Sequence, residues 1–247
     1  MKIAVISDIH GNMEALNAVM EDIQAKGCDK IFALGDYAMA GPEPSKAVNW
    51  FMTKEQDENF VMIQGNTDAF IGNYSEKLYE EVKEKAPVMA EALKSDVEIL
   101  DSPQKEFLKN LPAQLEVEED GVKFLLCHGS PRKNSEDILP DTEMEEVEKM
   151  LEHVEASVVL CGHTHIPCGF QTTTRQTVVN VGSVGRPFTE RPDSCWLQIM
   201  VEGGKCVFEH KFVEYDREKA SKTLSKRGFE GADKLAATLL DPKERHF

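Results

Sequence analysis

The sequence lacks closely spaced cysteines. Its six cysteines lie at positions 28, 127, 161, 168, 195 and 206, and none belongs to a Cys-x-x-Cys pair. Neither a zinc ribbon nor a thioredoxin-type redox motif is therefore supported. In a reducing compartment we expect the six to be small hydrophobic side chains with free thiols.

Long apolar runs are also missing. The longest runs are far shorter than the roughly 20 residues that a helix needs to span a bilayer. The amino-terminal segment reaches Asp8 after one short apolar run, which is not typical of a signal peptide. We therefore predict a cytoplasmic protein with no membrane partner.

Positive charge is scarce. The 28 lysines and arginines are outnumbered by 44 acidic residues, which gives a net charge of −16. Such a surface repels a phosphate backbone and argues against nucleic acid as a partner. Hydrophobic residues make up 41% of the 247 residues, which is enough for a substantial core. We predict one domain over residues 1–247; the sequence leaves open whether it forms a homo-oligomer.

Short apolar segments alternate with helical patterns along the chain. "KIAVIS", "KIFALGD" and "FVMIQGN" predict buried strands, and the apolar spacing from Met13 to Ile23 predicts a helix between the first two. "SVVLCGHTH" and "TVVNVGSVG" predict two further buried strands. Strands that alternate with helices indicate βαβ units and a largely parallel sheet, so the fold class is α/β.

Two hairpins and two helical regions complete the pattern. The turns at Asp120-Gly121 and Gly203-Gly204 predict hairpins. Residues 74–111 are charged and helical in pattern, and we interpret them as an excursion from the sheet, either a cap or a plain crossover. Residues 216–247 are predicted to be a helical carboxy-terminal tail.

Polar side chains follow five of the apolar segments, at the point where each predicted strand ends. In open α/β sheets, ligands bind beyond the carboxyl ends of the strands. We therefore expect these side chains to collect at one edge of the sheet. They are Asp8, His10, Asp36, Asn66, His128, His163 and His165.

These side chains have the chemistry of metal ligands. Two carboxylates, four imidazoles and one amide oxygen exceed what one tetrahedral ion needs, and they suit two ions that share a carboxylate. Two ions about 3.5–4 Å apart can clamp a phosphoryl group and generate a hydroxide nucleophile. Nitrogen and oxygen ligands without sulfur favour Mn²⁺, Fe or Zn²⁺ over Ca²⁺ or Mg²⁺, and we favour two Mn²⁺ ions.

The octet "LCGHTHIP" at residues 160–167 has two interpretations. Taken alone, it reads equally well as a polar turn. However, alternate residues of an extended segment point to opposite sides, so one packing reason does not account for both His163 and His165. Turn chemistry explains the glycines at the strand ends, but it does not explain the histidines.

In order along the chain, D-x-H, GD, GN, an isolated His and GHTH resemble the calcineurin-like metallophosphoesterase superfamily over residues 1–185. "VISDIHGNMEAL", "LGDYAMAGPEPSKAV", "HGSPR" and "NVGSVGRP" are similar to the bacterial and archaeal branch of small phosphodiesterases and diadenosine-tetraphosphatase-like hydrolases. The resemblance implies two facing mixed β-sheets flanked by helices, with a dinuclear metal site at one end.

The resemblance also implies roles for individual residues. It assigns Asp8, His10 and His165 to one metal, and Asn66, His128 and His163 to the other. Asp36 bridges the two. Asp36, Asn66 and His128 are accordingly expected to take part in catalysis, and Arg132 and Arg186 are candidate phosphate-binding residues.

One position departs from the family pattern. The family commonly has GNH followed by an acid, whereas this chain has "GNTD", so that Thr67 replaces a histidine that contacts substrate or protonates the leaving group. A threonine hydroxyl can bind a phosphate oxygen, but it is not a practical general acid near neutral pH. We therefore expect substrates with good leaving groups. Asp68, which would orient that histidine, is expected to support the site or to contact Thr67.

The favoured function is a metal-dependent hydrolase of phosphoester or phosphoanhydride bonds in a small phosphorylated or nucleotide substrate. One alternative is a non-catalytic scaffold on the same fold; such proteins lose metal ligands, whereas all seven matching positions are filled here. A dinuclear-metal nuclease is the other alternative, and the charge of −16 argues against it.

Overall fold

Two mixed sheets of five strands form the centre of the computed structural model, which describes residues 1–242. The first sheet contains, in spatial order, β10 (Lys205–Val213), β9 (Ser194–Glu202), β1 (Lys2–Ile6), β2 (Lys30–Ala33) and β3 (Phe60–Met62). β1, β2 and β3 run parallel, and β9 joins β1 antiparallel. The long β9–β10 hairpin forms the other edge, as predicted.

The second sheet contains, in spatial order, β4 (Gln114–Glu119), β5 (Val122–Cys127), β6 (Val158–Cys161), β8 (Thr177–Asn180) and β7 (Cys168–Gln171). β5, β6 and β8 run parallel, whereas β4 and β7 are antiparallel edge strands. The β4–β5 hairpin turns at Asp120 and Gly121, both with positive φ. The predicted α/β fold of two mixed sheets is confirmed.

Residues 1–242 contain nine helices, among them the helix predicted from Met13 and those of the two predicted helical regions. They are α1 (Met13–Lys26), α2 (Pro44–Met52), α3 (Asn66–Gly72), α4 (Glu76–Lys85), α5 (Pro87–Ile99), α6 (Ser102–Asn110), α7 (Met144–Met150), α8 (Arg217–Ser225) and α9 (Ala232–Leu240). Three of them, α4 to α6, occupy the predicted excursion at 74–111, and α8 and α9 occupy the tail. Of the predicted tail, residues 243–247 lie outside the described residues.

Sequence patterns did not indicate α3 or β7. The helix α3 has only seven residues, too few to show a helical period, and it begins at the ligand candidate Asn66. The strand β7 is four residues at a sheet edge, and only alternate residues are partly covered. Within residues 1–242, no helix is long and apolar enough to cross a membrane.

An apolar layer lies between the two sheets. Val5 of the first sheet and Leu34, which follows β2, share a cluster with Leu126 of the second sheet, and the rings of Phe32 and Phe124 meet with centroids 6.2 Å apart. Helices cover the outer face of the first sheet, and α7 covers that of the second. This packing holds the parallel strands of both sheets together, so that their carboxyl ends share one edge.

Candidate metal centre

The loops at this shared edge bring five predicted ligands together in two overlapping groups. Candidate ligand atoms lie within 4.8 Å of one another in each group. One group is Asp8, His10 and His165, and the other is Asp8, Asp36 and His128. Asp8, His10 and Asp36 follow strands of the first sheet, whereas His128 and His165 follow strands of the second. All five residues are buried.

The imidazoles of three of these residues are held by backbone carbonyl oxygens. Nδ1 of His10 lies 2.9 Å from the oxygen of Met39, and Nδ1 of His128 lies 2.7 Å from that of Leu34. Nδ1 of His165 lies 2.6 Å from the oxygen of Arg186. A carbonyl oxygen only accepts, so each Nδ1 carries a proton, and Nε2 is the ring atom that remains for a metal when the ring is neutral. Metal-binding histidines are commonly held in this way.

The two carboxylates use one oxygen each to hold the backbone. Oδ2 of Asp8 accepts the N–H of His163 at 3.0 Å, and Oδ1 of Asp36 accepts the N–H of Thr67 at 2.9 Å. The other oxygens face the imidazoles. Oδ1 of Asp8 lies 3.2 Å from Nε2 of His165, and Oδ2 of Asp36 lies 3.4 Å from Nε2 of His128.

In the centre, atoms that can only accept a hydrogen bond therefore lie next to one another with no proton between them. Nε2 of His10 and Nε2 of His165 are 3.2 Å apart, although both rings already have their protons at Nδ1. Oδ1 of Asp8 is buried and has no hydrogen-bond partner within residues 1–242. An ion with positive charge satisfies such a set of lone pairs, and the residues present fit a bound divalent metal.

The pKa values of the buried carboxylates and imidazoles also indicate an excess of negative charge in the centre. Burial raises the pKa of Asp8, but His165 and His128 outweigh it and bring it down to about 2. Burial likewise raises the pKa of Asp36, yet His128 and His10 hold it well below its usual range. Burial and then His165 lower the pKa of His10 to about 4, whereas Asp36 and Asp8 overcome burial and raise that of His128 to about 10. A proton on His128 balances only one of two buried carboxylates.

Asn66 and His163 lie on the His128 side of the centre. Oδ1 of Asn66 is 3.1 Å from Nε2 of His128, and the rings of His163 and His128 have centroids 5.3 Å apart. Nε2 of His163 lies 3.3 Å from Oδ1 of Asp137, in the loop between β5 and α7. No sequence pattern indicates Asp137, since it is one acid in an acidic loop.

The GHTH segment is not an extension of its strand. The strand β6 ends at Cys161, and His163 and His165 have left-handed backbone conformations with φ of 66° and 59°. The expectation of two side chains alternating along an extended segment was therefore wrong in its geometry. The rings still separate, since His163 lies beside His128 and His165 lies beside His10.

Close packing explains two of the glycines that precede ligand candidates. A Cβ atom on Gly162 would lie 2.1 Å from Oγ of Ser7 and 2.6 Å from Oδ2 of Asp8. On Gly65, a Cβ would lie 2.0 Å from Oδ1 of Asp36. These glycines permit the loops to approach each other closely enough for the carboxylates to hold neighbouring backbone.

Thr67 and Asp68 lie behind the centre rather than in it. The hydroxyl of Thr67 donates to the carbonyl oxygen of Ala38 at 3.2 Å. The carboxylate of Asp68 accepts the N–H groups of Gly65, Asp36 and Tyr37 at 2.8–3.0 Å. Burial, and then Asp36, raise its pKa to about 7. This geometry makes Asp68 an anchor for the loop that carries Asp36.

The two arginines proposed to bind phosphate differ in their surroundings. Arg132 is exposed and forms ion pairs with Glu136 at 2.6 Å and Glu146 at 2.8 Å. Arg186 is buried, and its carbonyl oxygen holds His165. Burial lowers the pKa of Arg186 to about 10. The structure brings Arg186 to the centre through its backbone, whereas Arg132 belongs to an ion-pair group on the loop after β5.

Comparison with known proteins gives consistent results. The chain is 28% identical to the uncharacterized protein MJ0912 of Methanocaldococcus jannaschii, over 91% of this chain and 92% of that protein. Its fold is similar to that of a metallophosphoesterase from Sphaerobacter thermophilus, with a TM-score of 0.79 and 22% identity, covering 98% of this chain and all of that one. It is also similar to the hypothetical protein PH1004 of Pyrococcus horikoshii, with a TM-score of 0.83 and 24% identity over 95% and 97% of the two chains.

The family assignment rests on the match to a family model. Residues 1–202 match the model of the calcineurin-like phosphoesterase superfamily domain. The matched segment includes every predicted ligand from Asp8 to His165. The chain belongs to the calcineurin-like phosphoesterase superfamily.

Proposed function

We propose that this chain is a dinuclear metal-dependent hydrolase of small phosphodiesters or phosphoanhydrides. The observation that carries the proposal is the buried convergence of three Nε2 atoms and two carboxylates, with Oδ1 of Asp8 left without a hydrogen-bond partner in the described part of the chain. The family is metal-dependent, and it implies a small phosphorylated substrate. Buried negative charge of this kind calls for bound cations.

The geometry supports a division of the ligands between two ions. Asp8, His10 and His165 would hold one, and Asn66, His128 and His163 the other. Oδ2 of Asp36 lies 3.7 Å from Nε2 of His10 and 3.4 Å from Nε2 of His128, so it faces both groups. A carboxylate in that position suits a bridging ligand.

The bound ions would supply the chemistry, and the protein would supply the orientation. When bound, two divalent ions would withdraw charge from the phosphoryl group and activate a water molecule for attack. The carbonyl oxygens of Met39, Leu34 and Arg186 fix the imidazole rings, and Asp68 fixes the loop of Asp36. Such preorganisation lowers the barrier, because the charged groups need not move as the transition state forms.

Mixed nitrogen and oxygen ligands favour Mn²⁺ in this proposal. Within the family, the resemblance favours dinucleoside polyphosphates or activated phosphodiesters as substrates. The described cysteines are all unpaired, in keeping with a reducing, cytoplasmic location.

A substrate panel with and without Mn²⁺ tests the proposal. It would include diadenosine polyphosphates, cyclic nucleotides and aryl phosphodiesters, with elemental analysis of the same preparation. We expect two metal ions per chain and hydrolysis of at least one of these classes. A chain that binds no metal would instead favour the non-catalytic scaffold.

Chelation is expected to inactivate the protein reversibly without unfolding it. The apolar layer between the sheets and the helical layers outside them do not involve the ligands, so the fold does not depend on metal as a zinc finger does. Activity should disappear with EDTA and return with Mn²⁺, while the far-UV circular dichroism spectrum stays the same. Loss of helical signal on chelation would contradict this expectation.

The rate is expected to depend steeply on the leaving group. The hydroxyl of Thr67 is committed to Ala38 and is a poor acid, so charge on the departing oxygen is not quenched by a proton from this position. Values of kcat/KM should fall as the leaving-group pKa rises across a series of phosphodiesters, and alkyl phosphomonoesters should react poorly.

The Thr67→Val variant is the matched control for this series. It removes the hydroxyl at nearly constant volume, so the slope against leaving-group pKa should be unchanged. A flat dependence in the wild type would show that another group supplies the proton, and the interpretation of "GNTD" would be wrong.

A further inference from the structure

The carboxy-terminal helices α8 and α9 lie outside residues 1–202, which carry the family match. We propose that they position His10 and His165, through Arg227 and Thr238, and so support one of the two metal sites. This inference rests on the proposed function. Residues of the tail would then be positioning residues, acting on the centre without touching it.

Arg227 connects the tail to the body of the protein. It lies between α8 and α9, and its side chain is only 6% exposed. Nη1 forms an ion pair with Oδ1 of Asp96 at 2.6 Å and donates to the carbonyl oxygen of Gly41 at 2.9 Å. Nη2 donates to the hydroxyl of Ser95 at 2.7 Å. Three groups from two different segments are thus held by one guanidinium of the tail.

Asp96 connects Arg227 to the loop that holds His10. It is fully buried in α5, and its Oδ2 accepts the N–H of Met39 at 2.7 Å. Met39 and Ala40 have left-handed backbone conformations, with φ of 72° and 61°, which need support from their surroundings. The carbonyl oxygen of Met39 accepts the proton of Nδ1 in His10. The path from Arg227 to His10 therefore consists of consecutive short contacts.

Thr238 of α9 provides a second path. Its hydroxyl oxygen accepts a hydrogen bond from Nη2 of Arg186 at 3.2 Å. Nη1 of Arg186 donates to the carbonyl oxygen of Ala40 at 3.3 Å, next to the residue that holds His10. The carbonyl oxygen of Arg186 accepts the proton of Nδ1 in His165 at 2.6 Å. Both imidazoles of one ligand group are thus held by residues that the tail supports, Met39 through Asp96 and Arg186 through its own side chain.

Within residues 1–242, the contacts that hold the other ligand group do not lead to the tail. The ring of His128 is held by the carbonyl oxygen of Leu34, immediately after β2, and Asn66 lies at the start of α3. Both supports belong to the segment that matches the family model. Loss of the tail contacts should therefore weaken the His10–His165 site and spare the His128 site. Removal of a residue that orients a metal ligand typically costs about 10–100-fold in metal affinity.

The experiment compares Mn²⁺ binding by the full chain in the wild type, Arg227→Met, Arg227→Lys and Lys226→Met. Bound metal is measured by equilibrium dialysis and elemental analysis over a range of free Mn²⁺. Lys226 is the exposed neighbour, so its variant removes the same charge from the same turn. We expect Arg227→Met to weaken one of two sites by about 10–100-fold. The Lys226→Met variant should match the wild type, and Arg227→Lys should recover part of the loss.

The Thr238→Val variant provides an independent test if Arg227→Met does not fold. It removes one hydroxyl at nearly constant volume, and we expect it also to weaken a single site. Unchanged binding at both sites in the folded variants would overturn the inference, as would equal weakening of both sites. A wild type that binds no Mn²⁺ would instead overturn the proposed function, so the two failures are distinguishable.

Discussion

An Asp36→Asn variant is expected to lose the proposed hydrolase activity by about 10³-fold or more, the scale observed when an essential member of a catalytic group is removed. The substitution replaces a carboxylate that faces both His10 and His128 with a neutral amide. Two cations would then share too little negative charge. Metal content, measured by elemental analysis, should fall together with kcat.

The same variant should keep its fold. The amide oxygen of asparagine can still accept the N–H of Thr67, and the repulsion between Asp36 and Asp8 disappears. However, His128 and His10 hold the pKa of Asp36 well below its usual range, so its charge stabilises the folded state, and stability without metal, measured by urea unfolding, is expected to be lower than that of the wild type although the variant still folds. Asp57→Asn makes the same chemical change at an exposed position and should behave as the wild type. Full activity of Asp36→Asn with Mn²⁺ would contradict the bridging role.

An Asp68→Ala variant is expected to lose both stability and activity. Three backbone N–H groups lose their acceptor, and each unsatisfied buried donor costs about 1–3 kcal/mol. We expect a loss of roughly 3 kcal/mol or more in the free energy of unfolding. The measurement is urea unfolding in EDTA, so that bound metal does not contribute to the difference.

Two further variants calibrate this loss. Asp216 caps α8 by accepting one exposed N–H group, so Asp216→Ala should cost about 1 kcal/mol. Asp68→Asn keeps one acceptor oxygen and should fall between Asp68→Ala and the wild type. Equal unfolding midpoints for Asp68→Ala and the wild type would show that the Asp36 loop is held by other contacts.

The positions of the ligands could be predicted from the sequence because their strands are buried on both faces. Such strands are continuous apolar runs, and a polar residue after them marks the strand end. The same rule predicted Asp8, Asp36 and His128, and the structure brings them together. The carboxyl ends of parallel strands meet at one edge of the sheet, so the residues that follow these strands in the sequence lie close together in the structure.

The supports of the ligands could not be predicted in this way. Met39 and Arg186 hold imidazoles through backbone carbonyl oxygens, which any residue type provides. Arg227 lies in a charged tail where an arginine usually faces solvent, and only the fold shows that it pairs with Asp96. Arg132 looked available for phosphate, yet in the folded chain its guanidinium pairs with Glu136 of its own loop and with Glu146 of α7.

The two sheets each contribute only part of the ligand set. Asp8 and His10 follow strands of one sheet and His165 a strand of the other, so neither sheet contains a complete site. A bound ion would join His10 and His165, which are 155 residues apart in sequence, and could do so only after the sheets have docked. Contacts that form after the folding transition state slow unfolding more than they speed folding. Bound metal would therefore slow the unfolding of this protein and so extend the lifetime of its native state.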